Sequence, residues 1–252
     1  MGKQCAICGA EVNLVGQQKL ADGNVICRKV CQKKGMKKYF DFIHADLAQV
    51  QDHIKQVENG TKIFNDIFVP RMKAKKKDRP KQYGTGIFVL EDQGLMALAI
   101  ASYKFFIFGK YYPQACVFRL GDLRDYKPTK PDKKPDGTKA DPSKKYIHFS
   151  FQNTMGLCDF DYEYSGDAKK LAKEFDTIFG IQKTLGNMKN TWKSQIDATK
   201  AVVGAAKAAA SGDESATEEK GLEAANALDV AIYGDRTELN RRAAIALEKY
   251  NL

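Results

Sequence analysis

The chain has 252 residues, of which 43% are hydrophobic and 29% are charged. This composition is typical of a soluble globular protein and argues against a disordered or membrane-embedded chain. Lysine and arginine outnumber aspartate and glutamate by 41 to 31, which gives a net charge of +10. That surplus permits contact with nucleic acid or an anionic membrane but identifies neither.

The sequence predicts a cytoplasmic protein. No apolar run follows residues 1–4, so we expect no signal peptide. The best candidate for a membrane span, residues 94–108, is interrupted by Lys104, and we therefore expect no transmembrane segment. A reducing compartment also suits a chain whose cysteines are spaced for a metal rather than for disulfides.

Four cysteines near the amino terminus form the most informative pattern. Two residues separate Cys5 from Cys8, which Gly9 follows, and three residues separate Cys27 from Cys31. Two such pairs can converge on one tetrahedral ion, and zinc is the usual ion in a site of four thiolates. Because all four ligands come from the protein, the pattern predicts a structural Zn²⁺ in a zinc ribbon over residues 1–35. Disulfides or free thiols are the alternative.

Residues 36–80 are predicted to form a helical connector. Apolar residues recur at spacings of three and four over residues 37–58, and Asn59-Gly60 is expected to end the helix as a C-cap. The stripe either packs against this chain's own domain or contacts a partner helix. It consists of Phe40, Ile43, Leu47, Val50, Ile54 and Val57.

A basic segment, residues 71–81, lies at the end of the connector. Its flanking prolines predict an exposed linker or loop. It is the best candidate for contacting phosphates, and its lack of aromatic residues means that any nucleic-acid binding would ignore base sequence. A solvated linker without a partner is the alternative. Its basic residues are Arg71, Lys73, Lys75, Lys76, Lys77, Arg79 and Lys81.

Residues 81–182 are predicted to form an antiparallel β domain closed by a helix with Ser165 as its N-cap. Residues 127–145 are polar and rich in proline, and we expect a mobile insertion there. In the last strand, aromatic residues alternate with acids, so one face is expected to be buried. The predicted strands are Ile87–Leu90, Leu95–Ile100, Tyr103–Phe108, Ala115–Leu120, Tyr146–Phe151 and Leu157–Tyr164.

Residues 183–252 are predicted to form a helical tail. One apolar stripe of this tail is the candidate surface for a partner helix, as in a coiled coil, and the partner is either a second copy of the chain or another protein. The stripe contains Leu185, Met188, Trp192 and Ile196.

The cysteine pattern also carries a resemblance. The segments Cys5-Ala6-Ile7-Cys8-Gly9, Leu20–Gly23 and Ile26-Cys27 resemble a bacterial zinc-ribbon domain of unknown function. Proteins with that domain often continue into a β domain similar to pleckstrin-homology (PH) domains, and Val117–Tyr126 resembles a recurring segment of that part. The resemblance implies zinc ligation by the four cysteines and an α+β fold with a PH-like domain. It implies no activity.

These observations favour a non-enzymatic adaptor that presents binding surfaces to a protein partner and self-associates through its tail. The alternative is a peripheral protein that binds an anionic membrane or nucleic acid through the basic segment. No phosphate-binding glycine loop, nucleophile elbow or His-Glu metalloprotease motif is present in the sequence. An enzyme would need catalytic residues at strand ends that form no recognisable motif, and we expect none.

Overall fold

A computed structural model describes residues 2–103, 110–152, 154–180, 203, 220, 224 and 235–250. The chain divides into two units. One unit consists of Met1–Ala172 together with Leu239–Leu252, and the other consists of Lys173–Glu238. The predicted stripe of the tail (Leu185, Met188, Trp192 and Ile196) lies outside the described residues, as does most of the predicted strand Tyr103–Phe108.

The amino-terminal region contains two small antiparallel hairpins. In the first, β1 (Lys3–Gln4) pairs with β2 (Glu11–Val12), and in the second, β3 (Gln17–Lys19) pairs with β4 (Val25–Cys27). The turn of the second hairpin contains Gly23, whose φ of 84° is readily adopted only by glycine. Besides cysteines, the buried apolar side chains of residues 2–31 are Val12, Leu20, Val25 and Ile26.

The connector helix begins and ends later than its apolar pattern predicts. Helix α1 spans Leu47–Ile63 because Asp46 and Gln49 form a capping box at its start. Phe40 and Ile43 therefore precede the helix. A π-helical turn, Phe64–Phe68, and α2, Val69–Met72, continue the helical path beyond α1.

Asn59-Gly60 is not the end of this helix. Gly60 lies inside α1 and faces the backbone of strand β8 (Lys110–Arg119). A Cβ atom at this position would overlap the carbonyl oxygen of Ala115 and lie 2.9 Å from the Cα of Cys116. The glycine is therefore explained by close packing between the helix and the sheet.

Two antiparallel sheets follow. The first has the strand order β5-β6-β7-β8, and the second has the order β10-β11-β12 with β9 paired to β11. Phe118 in the first sheet stacks on Phe151 in the second at 4.1 Å between ring centroids, so the sheets share buried aromatic contacts. Besides β8, the strands are β5 (Lys81–Tyr83), β6 (Ile87–Leu90), β7 (Leu95–Tyr103), β9 (Leu123–Asp125), β10 (Pro128–Thr129), β11 (Tyr146–Phe151) and β12 (Asp159–Glu163).

Several strand predictions match the structure, and the predicted mobile insertion has regular turns. β6 and β11 have the predicted bounds, and Phe160 and Tyr162 of β12 are buried as the alternation predicts. Within residues 127–145, Pro128 pairs with Ile147 of β11, and Lys133 forms an antiparallel bridge with Lys139. Main-chain hydrogen bonds thus fold much of this segment against its neighbours.

Helix α3 (Ala168–Ile178) follows the second sheet, and helix α4 (Thr237–Leu247) lies near the carboxyl terminus. Asp167 caps α3 instead of the predicted Ser165, because its carboxylate accepts hydrogen bonds from the backbone N–H groups of Lys169 and Lys170. None of the described helices is long and apolar enough to cross a membrane.

The core of the larger unit contains residues from different predicted domains. The predicted domains are residues 1–35, 36–80, 81–182 and 183–252. Phe64 and Phe68 of the connector, Leu95 of β7 and Ala243 of α4 belong to one buried cluster. Tyr250 also donates a hydrogen bond to Asp66. The end of the chain therefore packs with the connector and the first sheet, because their apolar faces are buried together.

Candidate metal centre

The first cysteine pair lies in a tight turn between β1 and β2. The Gly9 N–H donates to the Cys5 carbonyl at 2.9 Å, and the Cys5 N–H donates to the Ala10 carbonyl at 2.8 Å. Gly9 has a φ of 71°, so a glycine at this position avoids the strain that a side chain would bring. This turn places the sulfurs of Cys5 and Cys8 close to those of the second cysteine pair.

The second pair has one more intervening residue, and a π-helical turn accommodates it. Cys27 ends β4 and caps the π-helical segment Arg28–Gln32, which contains Cys31. The Cys31 N–H donates to the Cys27 sulfur at 3.3 Å. Because a π-helix has a wider turn than an α-helix, the three-residue spacing still brings both sulfurs to one point.

The four sulfurs are close enough to share one ion. The Sγ atoms of Cys5 and Cys31 are 3.7 Å apart, those of Cys8 and Cys27 are 3.6 Å apart, and all four lie within 4.8 Å of one another. A tetrahedral site with metal–sulfur bonds of about 2.3 Å requires sulfurs about 3.8 Å apart. The four cysteines can therefore hold a metal ion, and their geometry is that of a closed site with four protein ligands.

The surroundings favour thiolate at one of these cysteines. Burial raises the pKa of Cys5, but the backbone N–H groups of Cys8, Ile7 and Cys27 outweigh it and lower the pKa to about 6. Burial and the neighbouring sulfurs raise the pKa of Cys31. Four thiols at this distance cannot all lose their protons without a compensating positive charge, which a divalent ion supplies.

Within the part of the chain that the structure describes, the four cysteines are the only cluster of His, Cys, Asp and Glu side chains that could hold a metal. The three histidines are elsewhere. His53 is buried in α1, whereas His44 and His148 form contacts with Asp41 and Asp161 at 2.7 and 2.9 Å. The sequence did not indicate these carboxylate partners, which depend on the folded chain.

Three basic residues of the basic segment form specific contacts. Arg71 contacts Asp92 at 2.6 Å, Arg79 donates to the Ala74 carbonyl at 2.8 Å, and Lys81 is paired with Glu91 in the structure. The remaining basic residues are exposed and have no ion pair among the described residues. They are Lys73, Lys75, Lys76 and Lys77.

One surface feature was not predicted from the sequence. Leu14 and Val15 occupy the turn between β2 and β3, where 85% of Leu14 and 81% of Val15 are exposed. The only sequence signal for this turn is that Asn13 and Gly16, two residue types common in turns, flank the pair. In the structure, the Asn13 side chain accepts a hydrogen bond from the Gly16 N–H and so closes the turn.

Comparisons with known proteins match the region of the metal centre alone. No curated protein and no solved structure matches the chain. Residues 3–54 match a family model described as "Domain of unknown function (DUF4428)". The matched region contains all four cysteines, both hairpins and the start of α1, so the amino-terminal part of this chain is similar to that domain.

Proposed function

We propose that this protein is a non-enzymatic, cytoplasmic adaptor whose amino-terminal zinc ribbon docks onto a protein partner. The metal-binding cluster carries no open coordination position, so zinc there has a structural role. The observation that carries the proposal is the bare apolar turn formed by Leu14 and Val15.

Hydrogen bonds close the turn, which favours binding. The Gly16 N–H donates to Asn13 at 2.8 Å, and the Arg28 N–H donates to the Gly16 carbonyl at 2.9 Å. The turn lies between Cys8 and Cys27, inside the loop that a bound ion would close. A preorganised turn loses little conformational entropy when a partner binds.

The apolar and basic side chains at the turn indicate what kind of partner surface would complement it. Burial of a leucine or valine side chain contributes about 1.5–3 kcal/mol. Arg28 and Lys29 are exposed immediately beyond the hydrogen bond that closes the turn, and Val30 is half exposed. A cleft with an apolar floor and an acidic rim would complement this surface.

The test uses a photo-crosslinking residue in place of Val15 in the zinc-loaded full chain, in cells of the native host. We expect a protein to crosslink and the purified protein to bind the wild-type chain directly. The double variant Leu14→Ser/Val15→Ser should bind at least roughly tenfold more weakly, which is about 1.4 kcal/mol. Ile245→Ser is the matched control because Ile245 is also exposed but lies on α4.

Two results would count against this docking role. One is the absence of any crosslinked protein, and the other is equal binding by the double variant and the wild-type chain. Zinc content must be measured for each variant, because loss of the ion would remove the turn itself.

We also propose that β5–β12 and α3 form a PH-like domain and that the tail self-associates. Two packed antiparallel sheets followed by an amphipathic helix support the first idea, because a PH-like domain has this order of elements. The second rests on the sequence stripe at Leu185, Met188, Trp192 and Ile196. Sedimentation that shows a monomer at every concentration would argue against self-association.

A second candidate function is the binding of an anionic membrane or nucleic acid by the basic segment. Four exposed lysines without described ion pairs (Lys73, Lys75, Lys76 and Lys77) favour it. Binding should weaken steeply with salt and be lost when all four become glutamine. Lys169→Gln/Lys170→Gln, on the exposed face of α3, is the control. Binding that survives the fourfold change would exclude this segment as the contact.

A further inference from the structure

A cavity of about 560 Å³ lies within the segment between β10 and β11, far in sequence from the cysteine cluster. Its lining is rich in lysine and includes Lys130, Lys133, Lys139 and Lys144. Neither the metal centre nor the basic segment contributes to it.

The backbone places two of these lysines, both exposed, opposite each other. Lys133 and Lys139 are directly opposite each other in an antiparallel bridge, and the hydrogen bond from the Lys134 N–H to the Thr138 carbonyl at 2.8 Å closes the turn between them. Like charges on directly opposite residues are destabilising. An anion between the two ammonium groups would remove this repulsion.

The other charged groups of the cavity leave a positive surplus. Lys144 is paired with Glu163 at 3.0 Å, and the Asp141 carboxylate accepts hydrogen bonds from the N–H and hydroxyl groups of Ser143. Lys130, Lys133 and Lys139 have no ion pair among the described residues, and Asp132 and Asp141 are the acids of the lining. Three lysines against two aspartates leave a net positive charge, which favours an anionic ligand.

A tyrosine supplies a second, independent indication. Tyr146 lines the cavity, its side chain is only 7% exposed, and its hydroxyl has no hydrogen-bond partner among the described residues. A buried hydroxyl without a partner is costly, and a ligand oxygen that accepted its hydrogen bond would remove that cost.

We propose that this cavity binds a phosphate ester through Lys133, Lys139 and Tyr146. A phosphate monoester carries close to two negative charges and several acceptor oxygens, which match two ammonium groups and one hydroxyl donor. The cavity is larger than one phosphate group needs, so it has room for the group that the phosphate is attached to. That group is either a small soluble molecule or the glycerol of a lipid headgroup.

The experiment measures binding to the zinc-loaded full chain in two arms. Calorimetry with glycerol phosphate tests the soluble source, and flotation with vesicles of phosphatidylcholine and phosphatidic acid tests the lipid source. Vesicles of phosphatidylcholine alone are the blank. Binding in one arm identifies the source, and the cavity variants then show whether the cavity is responsible. Binding in neither arm overturns the proposal.

Variants connect that binding to the cavity. Lys133→Gln/Lys139→Gln should weaken binding by roughly tenfold or more, and Tyr146→Phe should weaken it by roughly threefold to tenfold. Lys169→Gln/Lys170→Gln, on the exposed face of α3 and outside both the cavity and the basic segment, is the matched control and should bind as the wild-type chain does. Equal binding by the wild-type chain and Lys133→Gln/Lys139→Gln would overturn the proposal.

Thermal unfolding gives a second readout, which needs neither glycerol phosphate nor vesicles. Without ligand, Lys139→Gln should unfold at a higher temperature than the wild-type chain, because it removes the repulsion between Lys133 and Lys139. Inorganic phosphate should raise the unfolding temperature of the wild-type chain more than that of this variant. A lower unfolding temperature for Lys139→Gln without ligand would contradict the proposed role of the pair.

Discussion

The proposed zinc ribbon, residues 2–35, and the two-sheet region, residues 81–163, are held together in different ways. The ribbon buries Val12, Leu20, Val25 and Ile26 around a cluster of four cysteines. The described part of the two-sheet region buries most of β6 and β7 and stacks aromatic rings between its sheets. We therefore expect a metal ion to supply in the ribbon what apolar burial supplies in the sheets.

This difference predicts that the two regions respond to different perturbations. Contacts between them exist, since the Gln114 side chain of β8 donates to the carbonyls of Lys33 and Lys34 at 2.7 and 2.6 Å. These contacts are polar and exposed, so we expect each region to keep its own source of stability. The first two changes below should each affect one region and leave the other folded.

Removal of the metal should have the largest effect. A structural zinc ion contributes about 10–16 kcal/mol in small zinc-binding peptides, and the ribbon has little apolar burial to replace it. We expect a chelator, or Cys31→Ser, to abolish amide protection in residues 2–35 and leave protection in β6, β7 and β11 intact. Hydrogen exchange read by mass spectrometry measures both regions in one sample.

Cys158→Ser is the matched control for the metal site, because Cys158 is an exposed cysteine outside the cluster. It should bind metal in the same stoichiometry as the wild-type chain. Unchanged protection of the ribbon after complete metal loss would show that the ion does not hold it together.

A substitution that leaves a cavity in the aromatic core should destabilise the two-sheet region and leave the metal site unchanged. Phe64 is fully buried and contacts the rings of Phe68, Phe88 and Tyr112 at 5.0–5.3 Å between centroids. Phe64→Ala should lower the free energy of unfolding by about 3–5 kcal/mol while the metal content stays the same. Denaturant unfolding followed by circular dichroism measures the loss, and Tyr103→Ala, at an exposed position of β7, is the control. A loss below about 1 kcal/mol would mean that Phe64 is not central to the core.

The sequence predicted the features that depend on local patterns. The bounds of β6 and β11 follow from short runs of apolar and β-branched residues, and the cysteine cluster follows from residue type and spacing. The extra residue before Cys31 shows the limit of this approach. Spacing alone does not specify the π-helical turn that accommodates it.

Features that depend on distant contacts were missed or assigned differently. Phe40 continues the helical spacing of α1, yet it lies before the helix and stacks on the ring of His53 at 4.1 Å. Gly60 has the local signature of a helix end, but β8 packs against it. Leu14 and Val15 form no pattern, because an exposed apolar pair is recognised only by its accessibility in the fold.

Gly60 offers a smaller and more specific test of the helix–sheet contact. Replacing glycine by alanine inside a helix normally stabilises it by about 1 kcal/mol. Here the added Cβ would overlap the Ala115 carbonyl oxygen, so Gly60→Ala should instead destabilise the protein by about 1–3 kcal/mol. The neighbouring exposed residue gives the control, since Asn59→Ala should be neutral or slightly stabilising. Chemical denaturation of both variants decides the sign, and a stabilising Gly60→Ala would contradict the close approach of α1 and β8.

The smallest expected effect is a pH dependence at His53, where the ribbon's end meets α1. Burial lowers the pKa of His53 below its ordinary value of 6.5, although the contacts with Gln56 and the Gly35 carbonyl oppose that shift. The native protein therefore binds fewer protons at this residue than the unfolded chain does, and stability should fall as the pH drops below about 6.5.

The loss should stop once the pH has passed the lowered pKa, because both states then carry the proton. His53→Gln, which keeps a side-chain amide that can donate to the Gly35 carbonyl, should remove this part of the pH dependence. His44→Gln is the control, since His44 is exposed and lies outside this contact. Unfolding free energies measured above and below pH 6.5 give the comparison. If His53→Gln follows the wild-type profile, the proton that destabilises the protein in acid binds at another group.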